Sequence, residues 1–145
     1  MILLDAIGRI EQPQLPEIWI DPLGRLLSHT DQDIRRQLLA TLIPFETKLL
    51  ESQLRTVAQD KTQPTGIRLG ALALVARHGG ELDDAELQFL IGQLQIDSPP
   101  VDKLSAANAL SAASLSTDQL VLLLTVVRQA GSLELPSLLR AFESA

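Results

Sequence analysis

The chain has 145 residues, 46% of them hydrophobic but only 3% aromatic, with 12 basic against 18 acidic residues and a formal charge of −6. That length supports one domain with a core of Leu, Ile, Val and Ala, and the acidic balance disfavours nucleic acid, whose binders present a basic face. The absence of cysteine excludes disulfides, thiolate metal sites, a Cys nucleophile and covalent haem attachment.

Apolar residues recur at helical spacing almost everywhere, and Ala and Leu favour helix, so an all-α fold of eight or nine helices is expected. A first helix is expected over about residues 2–11, before Pro13 and Pro16. A second covers about 17–28, with Pro22 near its start. The third, about 31–43, has Thr30 or Asp31 to cap its free amides and Pro44 to stop it. The fourth, about 45–59, carries an apolar stripe of Leu49, Leu50, Leu54 and Val57. The fifth opens near Thr65, after Pro64, and ends at Gly79-Gly80. The sixth spans about 83–96: Asp83 and Glu86 have capping-box spacing, and Leu87, Leu90, Ile91 and Leu94 form its stripe. The seventh runs from Pro100 to about Ala113. The eighth has capping-box spacing at Ser116 and Gln119 and a stripe of Leu120, Leu123, Leu124 and Val127. The ninth starts near Leu135-Pro136 and reaches Phe142.

A phrase repeats along this series. Ile34-Arg35, Ile67-Arg68 and Asp102-Lys103 open alternate helices, 33 and 35 residues apart. Small and apolar positions follow each: Leu38, Leu39 and Leu42; Ala71, Leu72 and Val75; Ala106, Ala107 and Leu110. Leu87, Leu90 and Leu94 reappear 33 residues later as Leu120, Leu123 and Val127. Such a period, with two helices per unit, signals an α-solenoid in which stacking hides stripes that one pair cannot cover. The units fall at about 1–43, 44–79, 80–113 and 114–145 of a single 1–145 repeat domain. Gly70, Ala71, Ala73, Ala106, Ala107 and Ala109 would let second helices approach closely.

The phrases Asp31-Gln32-Asp33-Ile34-Arg35, Gly66-Ile67-Arg68-Leu69-Gly70-Ala71-Leu72 and Asp97-Ser98-Pro99-Pro100-Val101-Asp102-Lys103 resemble the HEAT-like, armadillo-type repeat family. The resemblance implies a right-handed α-α superhelix of about four helix pairs. It also implies a ladder between units, built from Asp31, Asp60 and Asp97 with Arg35, Arg68 and Lys103. Two departures stand out. An extra turn separates Asp60 from Arg68, and Lys103 lacks the planar two-point contact of Arg. The segments IRLGALALVARHG and LELPSLLRAFES also resemble the helical repeat region of large bacterial proteins that join a dehydrogenase-like propeller, HEAT-like repeats and a c-type haem domain.

Residues with chemistry to offer are few. His29 and His78 stand near expected helix C-termini, where imidazolium suits the dipole, and neither has ligand spacing to an acid or second His. The acidic run from Glu81 to Glu86 lacks the alternating ligands and glycine of a calcium loop and reads as a helix start. No GxSxG elbow, Walker motif or GxGxxG occurs. Trp19 is expected to be partly buried rather than a stacking platform. No catalytic, cofactor or metal residue is assigned and no cofactor is expected.

The expected function is a non-catalytic scaffold or protein-interaction module, with a protein or other domains of the same chain as partner. The alternative is a spacer or docking segment of a larger multidomain redox protein. The start MILLDAIGRIEQ lacks the basic region of a signal peptide and no apolar run is long enough to span a membrane, so membrane insertion is not expected. The chain is expected to be a fragment of a longer protein, cytoplasmic or exported with it. Apolar faces at the two ends, including Leu138, Leu139 and Phe142, suit self-association.

Overall fold

In the computed structural model, residues 14–77, 80–95 and 97–143 are described. Eight α-helices occur among them, and no strand. They are α1 (Ile20–Leu27), α2 (Gln32–Leu42), α3 (Glu51–Gln59), α4 (Thr65–Ala76), α5 (Asp84–Gln93), α6 (Pro100–Ala112), α7 (Thr117–Val127) and α8 (Leu135–Glu143). The helix expected over 2–11 lies outside the described residues, as do His78, Gly79 and Ile96. The chain divides into two compact units, Met1–Leu74 and Val75–Ala145.

In the N-terminal unit, α1 packs against α2 and α3. The second helices α2 and α4 meet where Gly70 faces Leu39: a Cβ on Gly70 would stand 3.0 Å from Leu39 Cδ1. Leu23, Leu27, Leu38, Leu42, Leu50, Leu54 and Ile67 fill the core between them. In the C-terminal unit, α5 packs against α6 and α7, and α8 against α6 and α7. Here Leu87, Leu90, Ala106, Ala107, Ala109, Leu110, Leu123 and Leu138 are buried. In the C-terminal unit two helix pairs thus pack first helix on first and second on second, and in the N-terminal unit the first helices α1 and α3 pack while the second helices approach at Gly70 and Leu39. Small residues line the second-helix seams, although Ala73, expected there, is only half-buried.

The step also appears in the backbone. Gln14 pairs with Glu46 in one isolated parallel bridge, and Glu81 with Ser114 in another. Each bridge ties the segment before one first helix to the segment before the next, with Ser114 N–H donating to Gly80 O at 3.0 Å. Gly80 has no room for a side chain: a Cβ there would lie 1.8 Å from the Val75 carbonyl oxygen.

The two units start their first helices differently. In the C-terminal unit both expected capping boxes form. The Glu86 N–H donates to Asp83 Oδ1 at 2.7 Å and the Asp83 N–H to Glu86 Oε2 at 3.0 Å. Ser116 and Gln119 do the same for α7. In the N-terminal unit, 3₁₀ turns at Glu17–Trp19 and Lys48–Leu50 lead into α1 and α3. Half-buried Trp19 stands on the first of these turns.

Three expectations need correction. The fourth helix does not run from residue 45, since Phe45–Thr47 is non-helical and the α-helix begins at Glu51. The tighter 3₁₀ turn rotates Leu50 into the core and leaves Leu49 56% exposed, so Leu49 is not part of the stripe. On α7 only Leu123 of the four stripe residues is buried; Leu120 and Val127 are half-buried, and Leu124 points away from the packed side. On α8, Leu138 is covered and Leu139 exposed. The remaining stripes hold: Leu54 with Val57, and Leu87 with Leu90, Ile91 and Leu94, are buried.

Candidate functional site

A dense polar arrangement surrounds the turn between α3 and α4. The sequence Asp60-Lys61-Thr62-Gln63 folds because an Asp side chain can accept from the backbone two residues on. Asp60 Oδ1 accepts from the Thr62 N–H at 2.9 Å and the Thr62 hydroxyl at 2.6 Å, while Oδ2 accepts from Gln63 Nε2 at 2.9 Å. The Thr62 hydroxyl first, then Gln63 and the Thr62 amide, hold the Asp60 carboxyl down from the ordinary 3.8 to about 2.

Gln63 carries the network across to the other helix pair. Its Oε1 accepts from the Arg35 guanidinium on α2. Arg35 is buried at 7% exposure, and its Nε has no hydrogen-bond partner. Arg68, on the first turn of α4, donates from Nε to Ala58 O at 2.7 Å, closing the end of α3. Burial lowers the Arg68 pKa, and the Asp60 charge opposes that shift. Arg35, Gln63, Asp60 and Arg68 therefore join α2, the α3–α4 turn and α4.

Three of the six residues assigned to the inter-unit ladder meet here: Arg35, Asp60 and Arg68. The contact from Arg35 to Asp60 passes through Gln63. Asp31 is used by its own helix, capping α2 with Oδ1 accepting from the Asp33 N–H at 2.9 Å. Asp97 is exposed in the α5–α6 connection, and Lys103 is half-buried on the first turn of α6. His29 Nδ1 accepts from the Asp31 N–H at 3.0 Å, so the imidazole shapes the α1–α2 turn.

Other polar ties span pairs in the C-terminal unit. Gln119 Nε2 donates to Leu82 O at 3.0 Å, linking the start of α7 to the residue before the α5 cap. The Ser137 hydroxyl donates to Asn108 Oδ1 at 2.8 Å, linking α8 to α6. Gln63, Asn108 and Ser137 carry no family signature. Only the Asp-x-Thr turn pattern ahead of Gln63 offered a clue. Within Glu81–Glu86, the carboxylates of Asp83 and Glu86 build the α5 cap, as their spacing suggests. Among the described residues, no group of three or more His, Asp or Glu could hold a metal ion. Chemically, these neutral amides, hydroxyls and caged charges fasten helices together.

No family model, curated protein or solved structure matches the chain. The site's meaning therefore rests on its own geometry. Among the described residues, no helix is long and apolar enough to cross a membrane.

Proposed function

We propose that the chain is a non-catalytic helical-repeat scaffold, a HEAT-like stack of helix pairs that presents a surface to a protein partner. One observation carries the reading: in both units a first helix packs on the next first helix, and second helices come together, at Gly70 and Leu39 in one unit and along α6 and α8 in the other. Stacked pairs of this kind form extended surfaces whose shape is set by the repeat. The polar groups agree in direction, because Arg35, Gln63, Asn108, Ser137 and Gln119 are spent on joining pairs. Residues 75–145 hold nine acidic against four basic residues, hence −5, which favours a partner with a basic face.

The test is reconstitution. The intact chain is used to capture partners, and each candidate is then purified and titrated against it. Saturable binding that weakens as salt is raised supports a scaffold with an acidic face. Turnover of a substrate by the purified chain, with no partner reconstituted, overturns it.

A further inference from the structure

We infer that α7 seats a second copy of this chain, the two α7 helices running antiparallel about a two-fold axis. The inference goes beyond the scaffold reading and does not depend on it.

The starting point is a mismatch between composition and burial. Between Leu120 and Val127, every residue except Thr125 is apolar. A helix apolar on all sides is normally covered on all sides. Yet only Leu123 is buried on α7, whereas α5, its counterpart one step earlier, buries Leu87, Leu90 and Ile91. Val121 is 58% and Leu124 52% exposed.

The exposed residues of α7 and its C-cap, from Thr117 to Arg128, are Thr117, Asp118, Val121, Leu124, Thr125 and Arg128. At 100° per residue they fall within one arc of about 120°, centred on Val121 and opposite Leu123. Arg128, the C-cap, keeps helical dihedrals, so it continues the face. The face has an acid at its N-terminal end, two apolar residues in the middle and a base at its C-terminal end.

That order selects the occupant. Laid antiparallel on its own copy, the face brings Asp118 against Arg128 twice, once at each end. Val121 and Leu124 are enclosed between the two pairs. A two-fold contact needs a self-complementary patch of this kind. A parallel arrangement would set acid on acid and base on base. One helix face is small, below the roughly 1,200 Å² that marks standard interfaces, so the dimer is weak and reversible.

Sedimentation of the full chain over about 10 µM to 1 mM, the range of a weak complex, is the test. The mass should rise from monomer towards dimer. Asp118→Lys and Arg128→Glu should each move the midpoint at least tenfold higher, because each sets like charges together. An equimolar mixture of the two variants should recover the wild-type midpoint, since the introduced lysine then faces the introduced glutamate and the native pair remains at the other end. Far-UV circular dichroism checks folding. If either charge variant does not fold, Val121→Asp takes its place and should also shift the midpoint tenfold or more. A wild-type chain that stays monomeric throughout, a mixture no better than its components, or an unchanged midpoint in Val121→Asp overturns the inference.

Discussion

Arg35 shows how a buried cation is tolerated at one position. Its guanidinium gives up water and receives the Gln63 amide oxygen in return, and Gln63 is in turn oriented by Asp60. Gln63→Leu keeps the size of the side chain but removes that acceptor. An unsatisfied buried charged donor costs more than the hydrogen bond was worth, so we expect a loss of about 2–3 kcal/mol in urea denaturation. Asp60 offers a second, independent readout. Its carboxyl is held near 2, first by the Thr62 hydroxyl. A group whose pKa is depressed by folding adds stability above its ordinary value, and that stability fades as pH falls from 3.8 towards 2. Thr62→Val should raise the Asp60 pKa towards 3.8 in a carbon-detected NMR titration, and narrow the pH window over which its contribution is lost. Arg35 and Arg68 stand 33 residues apart in the repeated phrase, which is what singled them out, whereas Asp60 keeps no fixed step with Asp31 and Asp97. Gln63 was not legible, because any side chain that can both donate and accept across the gap serves equally well, and no periodicity marks it.

At the scale of the element, helix starts were read well where a side chain makes the cap. Asp83 with Glu86 and Ser116 with Gln119 could be paired from spacing alone, since both partners lie within one turn. Ser116→Ala should cost about 1 kcal/mol of stability by thermal melting, the usual value of an N-cap. The start of α3 was placed too early because a 3₁₀ turn precedes it, and that tighter turn takes Leu49 off the stripe that Leu50, Leu54 and Val57 keep. Leu49 is the visible casualty. Close approach of second helices was legible in the small residues of α4 and α6. Gly70 marks the tightest point, and Gly70→Leu should overpack against Leu39 and cost roughly 1–3 kcal/mol by chemical denaturation. Burial on α7 was not legible, because periodicity identifies apolar residues without saying how many neighbours arrive to cover them.

For the whole molecule, the all-α class followed from composition and period. If pairs stack as proposed, stability passes mainly between nearest neighbours. A chain cut after Ala113 should then lose α7 and α8 and loosen α5 and α6, while the N-terminal unit keeps its helicity by circular dichroism and its amide-exchange protection. Collapse of helicity throughout would contradict that picture. The paired bridges, Gln14 to Glu46 and Glu81 to Ser114, carry one more consequence. Within each unit they fix where the later first helix must begin relative to the earlier one. Deleting a single residue between bridge and helix would turn the helix by about 100° and aim its stripe at solvent. Loss or duplication of one complete pair would leave every such junction intact. The coding sequence of this chain should therefore tolerate length change in strides of about a hundred nucleotides, one pair at a time, and reject the small insertions and deletions that ordinary surface loops absorb.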